Sequence, residues 1–275
     1  MSEEHNTANY YYLQSQDRQT GQAVSNFLVQ PPNFGNCSDF EVATVQIPYT
    51  WYAFNSNMNT LNFTVNGGAI VTATLAPGNY DQFTILTALQ TAMALVSGGP
   101  TYTITISQTT GKMTITQSAG VFVIKGTSPM NPLIGFTTSD TASGITQISP
   151  NLINLSGTTY VDVYSTELTK HGTRFFDSAQ SGSNRFMRVP IGNYVFGGIV
   201  EYKPIFRHYN MKPESGNQID IQIMDMYNNA IDLNGRNFFI KFKYHTDRPH
   251  RQTIRAGNHN DYYANNNVNT LANKM

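Results

Sequence analysis

Charge is what this 275-residue chain has least of: only 12% of its residues are Asp, Glu, Lys or Arg, and the formal net charge is zero. A globular domain ordinarily carries about twice that share, and near-zero net charge promotes association. The polar surface must therefore come from Thr, Ser, Asn, Gln and Tyr, which a partner can cover without the desolvation cost of buried ions. Cysteine is nearly absent too. The single Cys37 excludes an intramolecular disulfide framework and a Cys-rich zinc site, which suits a reducing compartment. No run approaches the ~20 apolar residues that span a bilayer, and Met1 to Asn6 lack the basic and apolar regions of a signal peptide. The sequons at Asn36, Asn62 and Asn154 are then expected to be chance matches. Phosphate loops, dinucleotide fingerprints and Gly-x-Ser-x-Gly elbows are also missing. The sequence argues for no enzyme and no cofactor.

What is present is short β-rich runs with turn punctuation, the pattern of a sandwich or barrel. Val24, Phe27 and Val29 stop at Pro31-Pro32. Val42, Val45 and Ile47 end at Pro48. Leu61, Phe63 and Val65 alternate before an Asn66-Gly67-Gly68 turn, and Ile70 to Leu75 follows. The clearest alternation comes late, in Ile219, Ile221 and Ile223 and again in Phe238, Ile240, Phe242 and Tyr244, the mark of antiparallel strands with one wet face. Further strands are expected at 160–164, 194–202 and near 205–209.

One segment breaks the pattern. From Asp81 to Val96 the apolar residues Ile85, Leu86, Leu89, Ala92, Met93 and Val96 recur at helical spacing, with Asp81 as N-cap and Ser97-Gly98-Gly99-Pro100 as stop. A hairpin turning at Thr110-Gly111 follows, then a third strand at 121–124. The expected organisation is mainly β: a single jelly-roll β-sandwich at 21–75 and 150–245, interrupted by a small α+β insertion at 76–149. An N-terminal arm at 1–20, a Ser/Gly-rich loop at 172–183 and a C-terminal tail at 246–275 complete the chain.

Four groups of residues invite a functional reading. His245, Asp247 and His250 have metal-ligand chemistry but follow the last strand, where nothing fixes their geometry. Asp220, Asp225 and Asp232 sit on a polar strand face or beside turn residues, where aspartate is ordinary. Tyr49, Trp51, Tyr52 and Phe54 can form a glycan-stacking surface or can pack into core and subunit interface. Arg236, Lys241, Lys243, Arg248, Arg251 and Arg255 make a local +5 with Asp247, suited to nucleic-acid phosphates, to an acidic patch on a neighbour, or to a solvated tail.

Three stretches resemble the penton, or minor capsid, proteins of virophages, Polinton-like viruses and related large DNA viruses. They are Val45-Gln46-Ile47-Pro48-Tyr49-Thr50-Trp51-Tyr52-Ala53-Phe54-Asn55; then Leu75-Ala76-Pro77-Gly78-Asn79-Tyr80 with the Gly111-Lys112 turn and Asn131-Pro132-Leu133-Ile134-Gly135-Phe136; and Ile219 to Asp225 with Asp232-Leu233-Asn234-Gly235 and Phe238 to Tyr244. The resemblance implies a single jelly roll that forms pentamers and closes the five-fold vertices of an icosahedral capsid. The implied partners are its own copies and the major capsid protein. Genome or internal capsid proteins would be met by the arms, and a host receptor by an outward-projecting insertion. The implied location is the virion, assembled inside the host cell. The neutral, Asn-rich segment beyond Arg255 departs from the family's pattern, and no catalytic residue carries over. A trimeric receptor- or glycan-binding attachment protein is the competing expectation.

Overall fold

The computed structural model describes residues 8–19, 22–32, 37–170, 184–192, 194–204 and 218–246. In chain order it begins with strands β1 (Ala8–Gln14), β2 (Asn26–Val29), β3 (Cys37–Pro48), β4 (Thr60–Val65) and β5 (Ile70–Thr74). Helix α1 (Thr84–Ser97), strands β6 (Tyr102–Ile106), β7 (Met113–Gln117) and β8 (Phe122–Ile124), helix α2 (Asn131–Ile134) and β9 (Thr146–Ile148) follow. Next are β10 (Tyr160–Tyr164), α3 (Thr166–Lys170), β11 (Arg185–Pro190), β12 (Ile199–Tyr202), β13 (Ile219–Met224) and β14 (Phe239–Thr246).

Eight of the strands build two four-stranded antiparallel sheets, ordered β1-β14-β3-β12 and β11-β10-β13-β2. Counted among themselves, these strands run first-eighth-third-sixth and fifth-fourth-seventh-second, which is the order of a jelly roll. The alternating β-branched and aromatic residues explain the sandwich. Ile219, Ile221 and Ile223 of β13 face inward, as do Val42, Val45 and Ile47 of β3 and Ile240 and Phe242 of β14, and all belong to one core shared by both sheets. Each such side chain, fully buried, contributes on the order of 1.5–3 kcal/mol. Where β3 meets β14, Thr44 pairs with Lys241 and Val42 with Phe242, so Ala43 is an extra residue that bends the pair.

The remaining strands form the inserted module, with sheets ordered β5-β4-β8 and β6-β7-β9. Its separate core gathers Phe54, Leu61, Phe63, Tyr102, Phe122 and the inner face of α1 (Ile85, Leu89, Met93). The module leaves and re-enters the sandwich at one place: a Cβ on Gly157 would lie 2.8 Å from that of Ala53. Asn66 and Gly67 take positive φ, and the Gly68 N–H reaches the Val65 carbonyl, giving the primed turn expected between β4 and β5.

Several boundaries differ from the expected ones. Within the expected arm at 1–20, Ala8–Gln14 is a sandwich strand paired with β14. Its inward side chains are only Tyr11 and Leu13, too few for apolar periodicity to be evident, yet Leu13 is fully buried. The insertion is also larger than 76–149, because Leu61, Phe63, Ala73 and Leu75 pack in the second core. Alternation reveals a strand but does not say which sheet it joins. The strand at 122–124 pairs with β4, and β9 takes its expected place beside the hairpin. Helix α1 starts at Thr84, since Asp81 Oδ1 accepts the N–H groups of Phe83 and Thr84 and caps from three residues upstream. The strand expected near 205–209 and the loop at 172–183 lie outside the described residues, as does everything after Thr246.

Candidate functional site

The aromatic segment is divided between the two cores. Trp51, 5% exposed, belongs to the sandwich core, and Phe54, wholly buried, to the module core, where its ring meets Tyr80 edge-on at 5.2 Å. Neither presents an open ring face on which a sugar could stack, which removes both from the glycan surface the sequence allowed. Tyr49 packs on Trp51 at 4.5 Å, and burial raises its phenol pKa. Tyr52 and Tyr49 both reach outward to Phe196, at 6.0 and 6.1 Å.

Phe196 belongs to a feature the sequence reading missed. Tyr194 to Gly198 is a turn ahead of β12, not the strand expected there. Its exposed side chains are Tyr194 (39%), Val195 (77%) and Phe196 (49%), with Ile199 (56%) beginning the strand. The Gly197-Gly198 pair was the available signal, since it marks a turn directly after the aromatic residue.

Three of the six basic residues, Arg236, Lys241 and Lys243, lie among the described residues. Arg236 is exposed in the connection before β14. Lys241 and Lys243 alternate with core residues and so share the outer face of β14. The Lys241 ammonium lies 4.1 Å from the Tyr10 ring centre and 5.4 Å from that of Tyr12, within cation–π range. Lys243 pairs with Glu41 at 3.2 Å. Arg248, Arg251 and Arg255 lie outside the described residues.

The aspartates are occupied locally. Asp225 Oδ1 accepts the N–H groups of Tyr227 and Asn229, and Asp232 Oδ1 that of Asn234. Both line a cleft of about 230 Å³ at the seam between the cores, with their carboxylates already turned to these backbone groups. For Asp220, burial works to raise the pKa, but the N–H groups of Glu167 and Thr166 and the Ser165 hydroxyl outweigh it and leave the pKa lowered. Asp220 therefore anchors the start of α3. Among the described residues no group of three or more His, Cys, Asp or Glu could hold a metal ion, and His250 and Asp247 are not among them. No helix among the described residues is long and apolar enough to cross a membrane.

A match is found among solved structures.

It is the crystal structure of a selenomethionine-labelled mavirus penton protein, matched over 87% of this chain and 100% of that one, with 9% identity and a TM-score of 0.44. No protein-family profile matches the chain, and no curated protein does.

A second feature not foreseen in the sequence lies on the outer face of the other sheet. Asp162 of β10 is nearly buried and bonds Arg188 at 2.7 and 2.8 Å and Arg185 at 3.2 Å. Its hydrogen bonds raise the Arg188 pKa, and the same guanidinium sits 3.7 Å from the Tyr160 ring centre. This is a fixed tie between two neighbouring strands. It joins β10 to β11 across the outer face of that sheet.

Proposed function

We propose that the chain is a structural capsid subunit of penton type, with copies closing a ring at the five-fold vertices of an icosahedral shell and the module projecting outward. The observation that carries this reading is the eight-stranded jelly roll with two differently built lateral edges. One edge is the uncharged Tyr194–Ile199 segment beside β12, and the other is the tyrosine-lined β1. A ring needs two different, complementary side surfaces on each subunit, because a head-to-tail contact never matches a patch with itself. The shortage of charge supports the same reading, since covered side surfaces tolerate few ions. So does the resemblance of the Val45–Asn55, Leu75–Phe136 and Ile219–Tyr244 stretches to penton proteins. Major capsid protein is the neighbour this reading implies around the ring. The module supports an outward role because its entry and exit adjoin at Ala53 and Gly157, so it stands on the sandwich as a unit.

The test is imaging of intact particles carrying a small tag in the exposed Asn66-Gly67-Gly68 turn. The expected result is tag density at the outermost part of the five-fold vertices. Density distributed over the capsid faces, or on a three-fold spike, contradicts the proposal.

A further inference from the structure

We propose that the Tyr194–Ile199 turn is one half of the contact between subunits, and that it seats against the β1 edge of a second copy of this chain. This rests on the ring reading above and names the surfaces that make it. Val195, Phe196, Gly197 and Gly198 form a tight turn, with the Gly198 N–H on the Val195 carbonyl at 2.9 Å and Gly197 at φ +85°. A turn of this kind requires glycine at its third position and places no apolar demand on the first two. Val195 and Phe196 are nonetheless apolar and exposed at its tip. Neither belongs to the buried core of the sandwich.

The turn is also held ready. The Tyr49 N–H bonds Gly198 O at 2.9 Å, the Gly197 N–H bonds Tyr49 O at 2.7 Å, and the Phe196 ring stacks on Tyr52. A surface fixed before binding loses little conformational freedom on association. Tyr194 settles the mode of contact. Its hydroxyl donates to the Glu201 carbonyl at 2.8 Å and accepts the Glu201 N–H at 3.3 Å, occupying both edge-facing backbone groups of that residue. Strand addition at this point of β12 is blocked, so a partner docks by side chains.

The occupant follows from the sheet order and the chemistry of the far edge. β12 and β1 are the two ends of one sheet. Tyr10 and Tyr12 are exposed on β1, with the Lys241 ammonium held over their rings. The turn carries no charge, so it does not oppose this cation, and the negative face of the Phe196 ring attracts it. A turn-to-turn contact would instead be self-matching and could produce only a two-fold pair.

The experiment compares wild type with Val195→Lys, which sets a second cation against Lys241, and separately with Tyr12→Asp, by native mass measurement, using thermal unfolding to confirm that each variant folds as wild type does. Tyr10→Asp substitutes if Tyr12→Asp unfolds early, and Val195→Arg if Val195→Lys does. Each variant is expected to be monomeric, with association weakened about 100-fold or more. Mixing the two variants leaves one intact contact, so a 1:1 dimer that does not grow into a ring is expected. Variants that remain pentameric, or a mixture that stays monomeric, overturn the inference while leaving a pentameric wild type to stand. A wild type that is itself monomeric overturns the ring and this contact together.

Discussion

At the scale of the residue, the strongest energetic commitments are the paired ions on the outer face of the β11-β10-β13-β2 sheet. Asp162 satisfies two guanidinium groups, one of them on the mostly buried Arg185. Replacing it by alanine removes both contacts at once, and breaking a buried pair costs about 3 kcal/mol. Denaturant unfolding of Asp162→Ala is expected to show a loss of that order, with a smaller loss for Arg188→Ala, whose side chain is almost half exposed. Asp220 is a second commitment. Asp220→Ala removes the acceptor for the first N–H groups of α3 and is expected to cost about 1 kcal/mol, as for other helix N-caps. Because its folded pKa is lowered, Asp220 stabilises the protein fully above the unfolded value of about 3.9. That contribution is lost as pH falls through the folded value. Acid titration of Asp220→Asn should therefore lack this share of the pH dependence that wild type shows below pH 4; an identical acid limb would refute the assignment. Neither role was legible in the sequence, where Asp162 reads only as a polar interruption between Val161 and Val163. Burial there depends on arginines of another strand.

At the scale of the element, local chemistry was readable and long-range pairing was not. The Asn66-Gly67 turn, the Gly98 stop of α1 (φ +71°) and the inward isoleucines of β13 all follow from rules that act within a few residues. β1 was hidden because its exposed tyrosines resemble an arm. β4 and β5 read as strands, but β8, which pairs with β4, lies beyond α1 and a hairpin, and sequence periodicity does not reveal that pairing. The apolar residues of the Tyr194–Gly198 turn imitate a strand in the sequence. Gly135 shows how closely the module's elements are fitted. It ends α2 at φ +82°, and a Cβ there would lie 2.4 Å from the Asn151 carbonyl oxygen. Gly135→Ala is expected to destabilise the module by roughly 2 kcal/mol through backbone strain and this clash. Its melting should be lowered, whereas Gly67→Ala, with open space around it, should shift it less.

At the scale of the whole molecule, two cores that share no buried residue meet at a narrow junction. Replacing residues 55–156 by a short flexible linker is expected to leave a folded sandwich, read as a cooperative thermal transition with β-type circular dichroism. Loss of that transition would show that the sandwich depends on the module. The broad class, a mainly β chain with an interrupting helix, was legible from period and punctuation. The functional surfaces were less so, because a site made of edges exists only once the sheet order is known. Basic and aromatic residues drew attention in the sequence, yet the fold places Trp51 and Phe54 in cores and pairs Lys243 with Glu41. The lateral turn, by contrast, is exposed and uncharged.

The most direct test of the central claim is the native mass of the purified full chain across micromolar concentrations. The account predicts an assembly of five chains that dissociates as the side contacts are diluted. Three chains, or a monomer at every concentration, would contradict it.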